Sequence, residues 1–81
     1  MTRLPRDLGA DGLVKALARL GYERDRQTGS HIRLTTEQRG EHHVTIPAHN
    51  PMRVGTLGAI LADIAEHFGV TRDELMDLLF G

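Results

Sequence analysis

Thr28-Gly29-Ser30-His31-Ile32-Arg33-Leu34-Thr35 marks a turn and the first cleanly alternating strand of the chain. Thr28-Gly29 is a turn signal, and from Ser30 onward polar and apolar side chains alternate with a period of two. That is the pattern of a half-buried strand, with Ile32 and Leu34 inward and His31, Arg33 and Thr35 outward. Downstream, Glu37-Gln38-Arg39-Gly40-Glu41 reads as a hairpin loop. His42 to Ile46 then repeats the alternation, with Val44 and Ile46 inward and His43 and Thr45 outward. Pro47 closes that strand because proline has no N–H to give the ladder. Upstream, Tyr22 to Gln27 alternates weakly, and this reading places Tyr22, Arg24 and Arg26 on one face.

Helices flank the strands. Leu13, Val14, Leu17 and Leu20 form an apolar stripe that predicts a helix over Gly12–Leu20, with Asp11 as its N-cap and Gly21 as its C-terminal stop. Asn50-Pro51 is a further turn signal. After it, Leu57, Ile60, Leu61, Ile64, Ala65 and Phe68 make one wide helical face ended by Gly69, with Gly55 or Thr56 as the expected cap. Thr71-Arg72-Asp73-Glu74 matches a capping box and opens a short last helix, with Leu75, Leu78 and Leu79 expected inward. The predicted class is α+β: α-β-β-β-α with a short extra C-terminal helix. Its three-stranded antiparallel sheet is covered by helices on one face, leaving the other face wet.

The chain has 81 residues, which suits a single domain spanning 1–81 with a thin core. It has no cysteine, so disulfides and thiolate metal sites are excluded. The start, Met1-Thr2-Arg3-Leu4-Pro5-Arg6, lacks the apolar run of a secretion signal, and no stretch is long and apolar enough to span a membrane. A cytoplasmic location is therefore expected. The formal net charge of −1 argues at first against a nucleic-acid partner, but it averages two unlike parts. Residues 1–53 carry nine basic and six acidic side chains, a net of +3, and four of the five histidines. Residues 54–81 carry Arg72 against five carboxylates, a net of −4. Those carboxylates read as solvated helix faces.

Three groups of residues have chemistry to offer. A histidine on the wet face, such as His31 in Gly29-Ser30-His31, can exchange protons near neutral pH, and neighbouring arginines can hold a phosphate beside it. The same pattern also suits a surface histidine on a hairpin that needed a glycine. A helix opening at Gly55-Thr56 offers backbone N–H groups to an anion, although every helix start does so to some degree. His31, His43 and His49 are the third group, as metal ligands. Without cysteine or a close-spaced histidine pair, no metal and no other cofactor is expected.

Four blocks in order carry a resemblance over about Leu13 to Leu79. They are Gly21-Tyr22, Arg26-Gln27-Thr28-Gly29-Ser30-His31, Val44-Thr45-Ile46-Pro47-Ala48-His49, and Gly55-Thr56-Leu57-Gly58-Ala59-Ile60-Leu61. Together they resemble the HicA toxins of bacterial toxin–antitoxin pairs. The resemblance implies a fold similar to a double-stranded-RNA-binding domain, cleavage of messenger RNA, and neutralisation by a HicB-type antitoxin. It implies that His31 is catalytic, and it matches Pro47 and His49 to one family block and Gly55-Thr56-Leu57 to another. HicA chains are usually lysine-rich, whereas this one has Lys15 alone. The expected mechanism is metal-independent: His31 deprotonates the RNA 2′-hydroxyl, and His43 or His49 protonates the leaving oxygen. Arg26 and Arg33 are the expected phosphate contacts. A module of the same fold that binds RNA without cleaving it is the alternative, and a subunit that only docks another protein is a third possibility.

Overall fold

The computed structural model describes residues 8–49 and 51–81. The N-terminal run and Asn50 of the Asn50-Pro51 turn signal lie outside the described residues. The element order is α1 (Ala10–Leu17), a 3₁₀ turn (Ala18–Leu20), β1 (Glu23–Thr28), β2 (His31–Thr36), β3 (His42–Pro47), α2 (Val54–Phe68) and α3 (Arg72–Phe80). The strands form one antiparallel sheet in the order β1-β2-β3. This is the α+β arrangement expected from the sequence.

The alternation in β2 and β3 does what its period demands. Ile32, Leu34, Val44 and Ile46 are buried beneath Leu13 and Leu17 of α1, Leu57, Leu61, Ile64 and Phe68 of α2, and Leu75 and Leu79 of α3. Adjacent His42 and His43 point to opposite faces, since His42 pairs with buried Thr36 and His43 with Thr35 on the outer face. The turn before β2 is tight. Thr28 pairs directly with His31, so Gly29-Ser30 is a two-residue hairpin loop, with Gly29 at φ 54°. A positive φ at the first loop position is what glycine supplies most cheaply, and it matches the twist of the flanking strands. Ser30 thus belongs to the turn, and His31 opens the strand at the hairpin tip.

β1 departs from its expected register. A bulge between Arg24 and Arg26 sets Arg24 opposite Leu34 but Arg26 opposite Arg33. One extra residue flips every later side chain to the other face, so Arg24 and Arg26 do not share a surface. Arg26 faces outward beside Arg33. Arg24 turns toward the helices, where its guanidinium lies 3.5 Å from Asp11 of α1. Tyr22 precedes the strand and is buried at 2% exposure, while every residue of β1 is exposed.

The helix ends show which caps the sequence reveals. Gly21 and Gly69 both stop their helices in the left-handed region, at φ 82° and 67°. A Cβ at Gly21 would lie 2.7 Å from the movable end of the Gln38 side chain, so the positive φ rather than space is what calls for glycine there. The α3 capping box is complete: the Glu74 N–H donates to Thr71 Oγ1 at 3.1 Å, and the Thr71 N–H to Glu74 Oε1 at 2.9 Å. The N-termini of α1 and α2 differ from expectation. Gly9, not Asp11, occupies the cap of α1, and Asp11 sits in the first turn, where a carboxylate still favours the positive end of the helix. The Ala10 N–H donates instead to the His49 carbonyl at 3.1 Å, a cap supplied from across the fold. Arg53 is the N-cap residue of α2, and neither Gly55 nor Thr56 caps it. In α3 the buried residues are Leu75, Met76 and Leu79, with Leu78 46% exposed. Both Met76 and Leu78 stand at helical spacing from the other two, and packing against the neighbouring helices chooses Met76.

Candidate active site

His31 stands at the tip of the β1–β2 hairpin, directly across from Pro47, the last residue of β3. The chain leaving β3 is tied back to that tip, because the Ala48 N–H donates to the Ser30 carbonyl at 2.6 Å. The His49 N–H then closes a tight turn onto the Pro47 carbonyl at 2.8 Å, and the His49 carbonyl caps α1. Two residues with little sequence in common with the hairpin are thereby held beside it. His31, Pro47, His49, Met52, Arg53 and Thr56 line one cleft of about 260 Å³.

Within the cleft, His31 and His49 are exposed, Met52 is buried as its apolar floor, and Thr56 is half-buried. Among the described residues, the side-chain hydrogen-bond contact of the His31 ring is with Ser30 Oγ, 3.5 Å from Nδ1. A contact that long restrains the ring weakly and leaves both nitrogens available to a ligand. Among the described residues no side chain caps α2, so its first N–H groups are not claimed from within the helix start. A Cβ at Gly55 would meet nothing within 4 Å, so the approach to that backbone is open. Among the described residues no carboxylate lines the cleft. Two imidazoles, a guanidinium, a hydroxyl and a helix N-terminus make it a place for an anion and for proton transfer.

A family model described as the HicA toxin of bacterial toxin–antitoxin systems matches residues 10–65. The chain belongs to the HicA toxin family. Comparison with curated proteins and with solved structures gave no match. The span matched to the HicA family runs from the first residue of α1 into the last turn of α2. It contains every residue of the cleft and leaves α3 outside.

In this HicA-family chain the other sequence-derived site residues fall into distinct places. Arg26 and Arg33 lie side by side on the outer face, with Arg33 two residues from His31. Arg33 is engaged, its Nε 3.5 Å from Asp25. His43 is not in the cleft. It sits opposite Thr35 at the other end of β2, with Nδ1 2.7 Å from Thr35 Oγ1 and Nε2 2.7 Å from Glu41. A larger hollow of about 640 Å³ opens there, lined by Glu23, Asp25, Glu37 and Glu41 together with Arg24 and His43. Its carboxylates make it a poor seat for phosphate. The three histidines considered as metal ligands, His31, His43 and His49, are divided between the two ends of the sheet. Among the described residues, no group of three or more histidines and carboxylates is arranged to hold a metal ion. Arg53 and Met52 are the cleft residues that the sequence reading passed over. Placing the helix start at Val54 would have exposed Arg53 as its cap.

A second polar cluster lies on the helix side of the sheet. The Tyr22 hydroxyl and His42 Nδ1 are 2.7 Å apart, and His42 Nε2 is 3.4 Å from Asp63. Putting the proton on Nε2 satisfies both contacts, with the tyrosine donating to Nδ1. The His42 ring stacks on His67 at 4.3 Å between centroids, and His67 Nε2 donates to the Gln38 carbonyl at 3.0 Å. Burial, and then the Asp63 charge, push the Tyr22 phenol up to about 12. The cluster joins α2 to β3 and to the loop between β2 and β3.

Proposed function

We propose that this HicA-family toxin is a metal-independent endoribonuclease that uses His31 as its general base. The observation that carries this reading is the cleft that brings His31 and His49 together beside the start of α2. RNA holds its own nucleophile in the 2′-hydroxyl. His31 takes that proton, the 2′-oxygen attacks the adjacent phosphorus, and the bond from phosphorus to the 5′-oxygen breaks. His49 returns a proton to the departing oxygen. The products are a 2′,3′-cyclic phosphate and a free 5′-hydroxyl. Acid–base assistance of this kind is worth about 10²–10⁴-fold. It requires neither a cofactor nor a metal, because the nucleophile and both proton carriers are already present.

The target is messenger RNA in the cytoplasm, and the restraining partner is a HicB-type antitoxin, as membership of a toxin–antitoxin family supports. Among the described residues no helix is long and apolar enough to cross a membrane. The test is cleavage of labelled RNA by purified wild type and His31→Ala, each with and without EDTA. The expected result is loss of at least 100-fold in His31→Ala, cyclic-phosphate termini, and no effect of EDTA. Full activity in His31→Ala refutes the base assignment. Salt-sensitive RNA binding with no cleavage in either protein identifies the non-catalytic module instead.

A further inference from the structure

Among the described residues, the cation that lines the cleft is not one of those expected from the strands. We propose that Arg53 holds the phosphate on which His31 and His49 act, in place of Arg33. The inference rests on the nuclease reading for its cleavage readout, but its binding readout stands alone.

Three observations converge on Arg53. It lines the same cleft as both histidines, whereas neither Arg26 nor Arg33 does. It is exposed and has no side-chain partner among the described residues, while Arg33 is drawn to Asp25 at 3.5 Å. To take a phosphate, Arg33 would have to leave that carboxylate, and the uncompensated Asp25 would then repel the ligand. Finally, Arg53 has a fixed backbone. It caps α2 in extended conformation, at φ −68° and ψ 141°, and its carbonyl accepts the first helical hydrogen bond from the Leu57 N–H at 2.9 Å. An arginine anchored there presents a planar fork beside the uncapped first-turn N–H groups and the Thr56 hydroxyl. Guanidinium and helix N-terminus then grip one anion from one side, and the histidines meet it from the other. The acidic hollow at the far end of the sheet discourages a backbone path along β2, which leaves the cleft as the place where phosphate is welcome.

The test compares Arg53→Gln, Arg53→Lys and Arg33→Gln, with Arg39→Gln in the remote hairpin as a charge-matched control. Binding is read with a 2′-O-methyl RNA 12-mer, which cannot be cleaved, across a salt series. Cleavage is read with the corresponding RNA. Arg53→Gln is expected to lower the slope of log affinity against log salt by about 0.7, the value of one single-strand phosphate contact. It is also expected to lower kcat/KM by about 100-fold, as loss of one preorganised charge-stabilising donor does. Arg53→Lys should recover the salt slope but only part of the rate, since an ammonium keeps the charge and loses the fork. Arg33→Gln should lose less than Arg53→Gln in both readouts. Binding and cleavage by Arg53→Gln within twofold of wild type, or a larger loss in Arg33→Gln, would overturn the proposal. Unchanged melting of the exposed Arg53 variants confirms that the comparison is between folded proteins. If the wild type binds but does not cleave, the nuclease reading fails, and the salt slope still decides the role of Arg53.

Discussion

Replacing His49 and His43 separately by alanine tests the proposed pairing of His31 with His49. His43 pairs with Thr35, four residues along β2 from His31. At about 3.4 Å per residue this is roughly 14 Å of strand. A proton donor must come within about 3.2 Å of the leaving oxygen, or reach it through one water. His43 is too far, and Thr35 and Glu41 already engage both of its ring nitrogens. His49 shares the cleft. Loss of a general acid costs about 10²–10⁴ in rate, or about 2.7–5.5 kcal/mol of transition-state stabilisation. His49→Ala should therefore lose at least 100-fold, whereas His43→Ala should remain within about threefold of wild type. The assay is single-turnover cleavage of labelled RNA with excess protein from pH 5 to 9. Wild type should give a bell, rising as the base loses its proton and falling as the acid loses its own. In His49→Ala the fall on the alkaline side should disappear. A substrate whose leaving group needs no protonation should restore most of that variant's rate. A His43→Ala defect as large as that of His49→Ala, or an intact alkaline limb in His49→Ala, refutes the assignment.

Two further predictions concern the packing at the end of the sheet away from the cleft. Thr36 is 1% exposed, donates to the Leu20 carbonyl at 2.8 Å and accepts from the Gln38 N–H at 3.1 Å. Thr36→Val keeps the shape and strands both partners, so urea unfolding should show a loss of about 2 kcal/mol, and a change below about 0.5 kcal/mol would count against the argument. The second is a pH effect. Tyr22 titrates near 12 in the folded protein against an ordinary value of about 10. A folded value above the unfolded one means that this contribution to stability is complete below pH 10 and disappears as the pH rises toward 12. Tyr22 is the sole tyrosine and there is no tryptophan, so phenolate absorbance follows this one group. A midpoint near 10 in protein that is still folded, or an unaltered alkaline stability loss in Tyr22→Phe, would contradict the burial argument.

Much of the fold was legible because its signals are local. The period-two alternation of β2 and β3, the stop glycines Gly21 and Gly69, and the Thr71–Glu74 capping box each depend on a few adjacent residues, and each stands where expected. The errors fell where local pattern has no preference. β1 carries no buried residue, so nothing in its sequence resisted the bulge that separates Arg24 from Arg26. The cap of α1 is a carbonyl from His49, a partner far along the chain that no capping motif announces.

From the order of residues alone came the class of fold, the outward placement of His31, and the resemblance that the family match to residues 10–65 bears out. What it left open was which of the remaining histidines and arginines would stand with His31. Period two places His43 and Arg33 on the correct face, but it says nothing of distance along the strand or of which carboxylate lies alongside. Those choices belong to the tertiary structure. The hydrogen bond from Ala48 to Ser30 draws the loop after β3 onto the hairpin tip, carrying His49 to the cleft. The start of α2 brings Arg53 to the same place, while Asp25 engages Arg33. Long-range backbone bonding and charge pairing, neither encoded in any short motif, assemble the site.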